Sequence, residues 1–243
     1  YIWHPLIMWN GNSALFEVGI CVMIYMSVLY IEFLPVITES FIGRVKLRGV
    51  LAKLNRHVDL LLRILDKGLG KTMFVFIISG VVLSTLHQSS LGTLMVIAGH
   101  KMHPLWQTPV LPLLFLLSAI TAGFPMIIFE SLIASRSFNI KPEKKTLSNL
   151  GSMTAPILGI YMAFKIGDMF IRETFKYILI FDVAAWMFIS ELALLIIPFV
   201  MFLSEKTLNS VNRLFAASTL VIAGVLLNRI NSFIVAYNPF YSP

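Results

Sequence analysis

Long apolar runs separated by short polar segments organise this chain. Six such runs lie at 13–38, 72–97, 110–133, 150–170, 176–203 and 211–237. A helix needs about 20 predominantly apolar residues to cross the hydrocarbon core of a bilayer. The pattern therefore predicts an all-α fold, a polytopic transmembrane helical bundle of about six spans, with residues 1–243 forming a single transmembrane domain.

Composition agrees with the membrane interpretation. Hydrophobic residues make up 58% of the chain and charged residues 13%, whereas soluble domains carry about 25% charged residues. The single cysteine, Cys21, excludes a cysteine-ligated iron–sulfur cluster or zinc site within this chain. The chain starts at Tyr1 without a signal peptide and stops abruptly at Pro243, so we expect a fragment of a longer protein with further spans on both sides.

The distribution of lysine and arginine predicts the orientation. Segment 39–71, predicted as a basic cytoplasmic loop, carries Arg44, Lys46, Arg48, Lys53, Arg56, Arg63, Lys67 and Lys71, and loop 134–149 carries Arg136, Lys141, Lys144 and Lys145. The opposite side has few basic residues. Because lysine and arginine collect on the cytoplasmic side, both ends of the chain are predicted to lie outside, in the inner membrane of a prokaryote. The net charge of +7 then reflects topology and contact with lipid headgroups, not nucleic-acid binding. Trp106 falls near the outer boundary, where aromatic belts form.

Ionisable side chains inside the predicted spans are the main functional signal. They are Glu17, Glu32, His87, Glu130, Lys165, Asp168, Asp182, Glu191 and Arg229. Each charge at the centre of a bilayer costs roughly 2.5–3.5 kcal/mol on insertion scales, and a bundle kept only for anchoring does not need them. For any one of them alone, a structural hydrogen bond or ion pair is an equal alternative. Lys165 and Asp168, spaced i, i+3, can form such a pair with each other.

The predicted depths of these residues divide them into two groups. An outer group contains Glu17, His87, Gln88, Asp168, Asp182 and Arg229. An inner group contains Glu32 and Glu130, with Glu191 between the two. A polar pocket near one face and acids leading to the other suit quinone chemistry, because reducing a quinone takes two electrons and two protons. We therefore predict a quinone site in which His87 and Glu17 bind or protonate the headgroup. Gln88, Asp168, Asp182 and Arg229 support them, and Glu32, Glu130 and Glu191 form a proton pathway.

Histidine positions limit the cofactors of this chain. A membrane haem b usually needs two axial histidines on facing helices, and only His87 lies within a predicted span. His100 and His103, in a loop, are a weak metal signal without carboxylate or thiol neighbours. We expect no haem, iron–sulfur cluster or metal site here, and a quinone, either menaquinone or ubiquinone, as substrate.

Several sequence motifs resemble one membrane-subunit family. The most specific are LHQSSLGTL at 86–94 and HPLWQ at 103–107; others are LFE at 15–17, IEFLP at 31–35, IFE at 128–130 and AYNP at 236–239. Together they resemble the HybB branch of the NrfD membrane-subunit family. The matches extend from the first predicted span to the last and cover nearly the whole chain.

The resemblance implies more than the residues alone establish. Members of this family are bundles of about ten helices without a cofactor of their own. They exchange electrons between quinone and a ferredoxin-like iron–sulfur subunit on the outer side, and they serve hydrogenases, sulfite-reduction-associated complexes and multihaem cytochrome complexes. By this resemblance the chain lacks about three leading spans and one trailing span. Segment 39–71 is longer than in hydrogenase anchors, which leaves room for a cytoplasmic partner.

Two other functions remain open from the sequence. A secondary transporter or ion channel also carries buried charges and proline-interrupted spans, although no inverted repeat is seen here. A passive anchor is the third possibility, and it predicts no loss of quinone activity when the outer acids are neutralised.

Overall fold

The computed structural model describes residues 7–42 and 55–237 and confirms the all-α polytopic bundle. Its long helices are α1 (Ala14–Phe41), α2 (Asn55–Ile97), α3 (Leu111–Ser137), α4 (Lys144–Ile171), α5 (Val183–Phe202) and α7 (Val211–Ile230), with a short α6 (Glu205–Leu208) between the last two. Within the described residues, six helices are long and apolar enough to cross a membrane. The isolated β-bridge between Met102 and Tyr237 is the one strand-like pairing seen in these residues.

The largest differences between predicted and observed boundaries are at the starts of the second and fifth spans. Residues 55–71, predicted as the second half of a loop, begin helix α2, because Leu60, Leu62 and Ile64 continue the helical apolar pattern into the basic segment. Arg44, Lys46, Arg48 and Lys53 lie outside the described residues. The fifth span begins at Val183 instead of residue 176, since a 3₁₀-helix over Thr174–Ile180 ends at Phe181, whose φ is +54°. This left-handed backbone separates the 3₁₀-helix from α5, which begins at Val183 after its N-cap residue Asp182.

The chain divides into two compact units, residues 1–87 and 88–243. In the first, α1 and residues 55–87 of α2 are in contact through small and polar groups. Thr38 Oγ1 donates to Asp66 Oδ1 at 3.5 Å, and Cys21 Sγ donates to the Leu83 carbonyl at 3.7 Å. Little of either helix is buried within the described structure.

The second unit is a four-helix bundle of α3, α4, α5 and α7. The most extensive contacts join α5 to α7 and α3 to both α4 and α7. Leu158, Leu195, Ala217 and Val221 form the centre of one apolar cluster, and Phe115 and Phe188 belong to a second cluster nearer loop 98–110. Between the clusters lie buried polar and charged side chains, which form the candidate site.

Gly92 sets the distance between the end of α2 and the start of α3. A Cβ atom at this position would lie 2.6 Å from Pro112 Cα and 2.9 Å from Pro112 N, which are backbone atoms that cannot rotate away. Gly92→Ala is therefore expected to destabilise the protein by about 1–3 kcal/mol, the usual cost of overpacking. Thermal unfolding of the purified membrane protein measures this loss.

Gly167→Ala is the matched control for this substitution. A Cβ atom on Gly167 meets nothing within 4 Å, and alanine favours a helix by up to about 1 kcal/mol over glycine. The control should leave the unfolding temperature unchanged or raise it slightly. Equal losses for the two variants would contradict the close approach at Gly92.

Candidate functional site

The centre of the four-helix bundle holds an ion pair between α4 and α5. Lys165 Nζ donates to Glu191 Oε1, and the two side chains are 7% and 0% exposed. The interpretation that Lys165 and Asp168 pair with each other is wrong, because α4 directs Lys165 into the bundle towards α5. Charges this deeply buried persist only when each is paired and hydrogen-bonded.

Glu191 accepts hydrogen bonds from three further side chains. Asn228 Nδ2 donates to Oε1 at 2.7 Å, whereas Asn231 Nδ2 at 2.8 Å and Trp106 Nε1 at 3.1 Å donate to Oε2. Each carboxylate oxygen therefore accepts two hydrogen bonds. With its acceptor sites occupied in this way, the carboxylate is fixed in position.

Trp106 was predicted as a residue of the aromatic belt, and the structure corrects this. Its side chain is only 3% exposed and packs against the Phe188 ring, with centroids 5.6 Å apart. The indole N–H of a buried tryptophan needs an acceptor, and Glu191 supplies one. Trp106 therefore anchors loop 98–110 to the interior of the four-helix bundle.

Arg229, near the end of α7, contacts neutral groups. Its guanidinium donates to Ser118 Oγ at 2.7 Å, Asn228 Oδ1 at 2.9 Å, the Phe115 carbonyl at 3.1 Å and Gln88 Oε1 at 3.2 Å. It also lies 3.7 Å above the Phe115 ring, where the cation and the π-face attract each other. No carboxylate forms a salt bridge with Arg229 in the described part of the chain. The cluster of Lys165, Glu191 and Arg229 thus carries one positive charge more than negative.

Asp168 belongs to a separate pair at the end of α4. Arg172 Nη2 lies 2.7 Å from Asp168 Oδ2, and Thr108 Oγ1 donates to Asp168 Oδ1 at 2.9 Å. Arg172 also donates to the Gln107 carbonyl and, at 3.3 Å, to the Pro104 carbonyl. The pair therefore fixes loop 98–110 to α4. A narrow cleft leads from this pair to Lys165. Its volume of about 20 Å³ is enough for about one water molecule.

Asp182 is the N-cap residue of α5, and its side chain accepts a hydrogen bond from the Val183 N–H at 2.6 Å. It lines a larger cavity, here called the loop cleft, with a volume of about 640 Å³. Residues 100–104, 107, 182–184 and 235–237 line the loop cleft. His103 is on its wall, and burial lowers the pKa of its imidazole while the nearby Asp182 carboxylate opposes that shift.

The predicted quinone-binding residues are distributed over both units. Glu17, exposed on α1, and His87, on α2, belong to the first unit. In the second unit the structure brings together Gln88 and Arg229 but keeps Asp168 and Asp182 in different surroundings. The Nδ1 atom of His87 is buried and has no hydrogen-bond partner among the described residues. An unsatisfied buried nitrogen is costly, which makes His87 a candidate for contact with a ligand.

The predicted proton-pathway residues differ in environment. Glu191 is fully buried, Glu130 is exposed on α3, and Glu32 is half-buried in the first unit, near Gly80. Sequence reasoning missed Trp106, Ser118, Thr108 and Arg172 as partners of the predicted charges. The signal that could have found them is the charge itself, because every buried carboxylate or guanidinium requires partners on neighbouring helices.

Comparisons with known proteins identify a family and two relatives of this chain. The model of the family described as "Polysulphide reductase, NrfD" matches residues 1–239. A protein of Nitratidesulfovibrio vulgaris (strain Hildenborough) is 32% identical over 243 residues, which cover 97% of this chain and 58% of that protein. The probable Ni/Fe-hydrogenase 2 b-type cytochrome subunit of Escherichia coli (strain K12) is 33% identical over 233 residues, covering 95% of this chain and 55% of that protein. The chain therefore spans little more than half the length of these relatives.

Proposed function

The chain belongs to the NrfD polysulphide reductase family of integral membrane proteins, and from that premise we propose that it is the quinone-reactive membrane subunit of a respiratory oxidoreductase complex. It oxidises or reduces membrane quinone and exchanges electrons with a ferredoxin-like iron–sulfur subunit on the outer face of the inner membrane. Further subunits, of the hydrogenase, multihaem cytochrome or reductase type, complete the complex. The E. coli relative, named as a hydrogenase subunit, supports this class of complex.

The observation that carries this proposal is the unpartnered Nδ1 of His87. A neutral imidazole can donate or accept a proton near neutral pH, as a quinone carbonyl or quinol hydroxyl requires. Glu17 is proposed as the acid that works with it. Gln88, Asp168, Asp182 and Arg229 are proposed as supporting residues of the quinone site.

Arg229 supports quinone chemistry through its charge. Its contacts are neutral oxygens and an aromatic ring, so its positive charge is available to stabilise an anion formed during the reaction. Reducing the quinone takes up two electrons and two protons, and oxidising the quinol releases them. A fixed cation lowers the energy of the anionic species through which either direction passes. The proposed proton pathway runs through Glu32, Glu130 and Glu191.

The described residues do not supply a pair of axial histidines for a haem. His87 is the one histidine within a membrane span in the part of the chain that the structure describes, whereas bis-histidine ligation needs two on facing helices. His103 lies in a loop, where its Nδ1 accepts the Leu105 N–H at 3.3 Å. The b-type cytochrome in the name of the E. coli relative therefore contributes no step to this proposal.

Copurification of the whole protein from its native membrane tests the proposed function. The expected result is a stable complex containing an iron–sulfur subunit, with quinol-dependent electron transfer to or from that subunit in proteoliposomes. The rival function, a secondary transporter, is suggested by the buried Lys165–Glu191 pair. A protein that purifies alone, shows no quinone-linked turnover and moves a solute across the bilayer would replace the proposal with the rival.

A further inference from the structure

The loop cleft is a space in the second unit that has polar walls and is large enough for a ring. Its volume of about 640 Å³ falls within the range of roughly 300–1,000 Å³ typical of small-molecule sites. One wall is the loop of residues 100–107, the second is the segment 235–237, and the start of α5 closes the base. Apolar side chains such as Val183 and Val235 alternate with a few polar ones, as in most ligand sites.

Backbone hydrogen bonds join the two walls directly. The His103 N–H donates to the Ala236 carbonyl at 2.8 Å, and Met102 and Tyr237 form an antiparallel bridge. The segment 235–237 follows a π-helix over Asn231–Val235, an element found frequently at functional sites. The walls are therefore built before any ligand arrives.

Glu191 forms hydrogen bonds to the segments that make up both walls of the loop cleft. Its Oε2 accepts the Trp106 indole N–H of the loop and the Asn231 amide of the π-helix. One buried carboxylate thus fixes the two segments that face each other across the loop cleft. This arrangement gives Glu191 a positioning role in addition to its place in the proposed proton pathway. Preorganisation of this kind lowers the entropy cost of binding.

His103 presents a defined donor to the loop cleft. Its Nδ1 accepts the Leu105 N–H, so a neutral ring carries its proton on Nε2. The ring has edge contacts with Trp106 and Tyr177, with centroids 5.9 and 5.8 Å away, which restrict its rotation. Gln107 and Tyr237 also line the loop cleft, and each has a donor for a second carbonyl.

We infer that the loop cleft binds the ring of a quinone or quinol, with His103 Nε2 donating to one carbonyl oxygen. This inference rests on the proposed function and extends the proposed site from Asp182 to His103. Two carbonyls on opposite sides of a ring need two separated donors, and the loop cleft has donors on both of its walls. The reduced ring would in turn donate its hydroxyl hydrogen to Asp182.

A second groove in the same unit suits a different occupant. It has a volume of about 450 Å³ and is lined by Val110, Ala163, Phe164, Gly167, Asp168 and Ile171. The Asp168 carboxylate, its one polar side chain, is an acceptor already engaged by Thr108 and Arg172. The groove has no donor for a carbonyl, so it fits an acyl or isoprenoid chain and not a quinone ring.

Photoaffinity labelling of the whole complex in its membrane tests the inference. The probe is a short-chain azido-quinone, and excess unlabelled quinone is the competitor. We expect competable label on peptides covering 99–107 or 235–237. His103→Phe should weaken probe binding at least tenfold, whereas His103→Gln, which keeps a side-chain donor, should weaken it less than threefold. Lys176→Gln, an exposed change outside the loop cleft, should have no effect.

The outcomes separate this inference from the proposed function. Competable label confined to other peptides, with His103→Phe binding the probe normally, would overturn the proposal that quinone binds in the loop cleft. It would leave the proposed quinone function in place. A complete absence of competable label from the complex would overturn both. Labelling of the wild-type protein decides the matter even if a His103 variant fails to fold.

Discussion

Replacing His87 with alanine is expected to reduce quinone-linked turnover at least 100-fold while the complex remains assembled. A positioned acid or base contributes roughly 10²–10⁴-fold to a proton-transfer step, and His87 is proposed to make that contribution. The Nδ1 atom has no hydrogen-bond partner among the described residues, so its removal leaves no protein group newly unsatisfied at that atom. The measurement is quinol-dependent turnover in proteoliposomes, with native electrophoresis to follow assembly.

Thr85→Ala is the matched control for His87→Ala. Thr85 lies on the same helix, half a turn away, and its hydroxyl donates to the Val81 and Val82 carbonyls of that helix. Removing the Thr85 hydroxyl tests whether the loss of any polar side chain in this part of α2 reduces turnover. We expect turnover within a factor of two of the wild type. Normal turnover in His87→Ala would remove His87 from the mechanism.

Replacing Glu191 with leucine should have the largest effect on stability, about 3–5 kcal/mol, the usual cost of breaking a buried ion pair from one side. Lys165 would keep a buried charge without a counter-ion, and the side-chain N–H groups of Trp106, Asn228 and Asn231 would lose their acceptor. Denaturation of the purified protein in mixed detergent micelles measures the free energy of unfolding.

A double variant separates the charge from the other contacts. Lys165→Met with Glu191→Gln removes both charges but keeps a side-chain oxygen that can accept from Trp106 or Asn231. Replacing a buried pair with neutral groups of similar size is often tolerated, so the double variant should recover most of the lost stability. Glu130→Gln, an exposed carboxylate on α3, should change stability by less than about 0.5 kcal/mol. A loss below 1 kcal/mol for Glu191→Leu would contradict the buried network.

The spans could be predicted because a bilayer requires about 20 apolar residues in sequence, and that requirement is local. The start of α5 could not, because it depends on Glu173 and Phe181, two residues with positive φ that the composition of the segment does not reveal. Helix α2 extends to Asn55 because basic side chains on its surface do not prevent a helix. The basic residues were interpreted as a loop, but they mark the part of the helix that lies outside the membrane.

The charged positions were readable from the sequence, but their partners were not. Glu191 was recognised as a mid-membrane acid, yet its contacts with Trp106 and Asn231 join residues 85 and 40 positions away. Such partners are set by which helix faces pack together. The same reason explains Lys165. The spacing suggested Asp168 as its partner, but the two side chains point in different directions from α4 and pair with Glu191 and Arg172.

Whether the quinone ring binds to residues of this chain is tested most directly by a structure of the complete complex with quinone bound. Our account predicts a ring within hydrogen-bond distance of His87 Nδ1 or His103 Nε2. A ring held entirely by spans outside residues 1–243, or by a partner subunit, would contradict it.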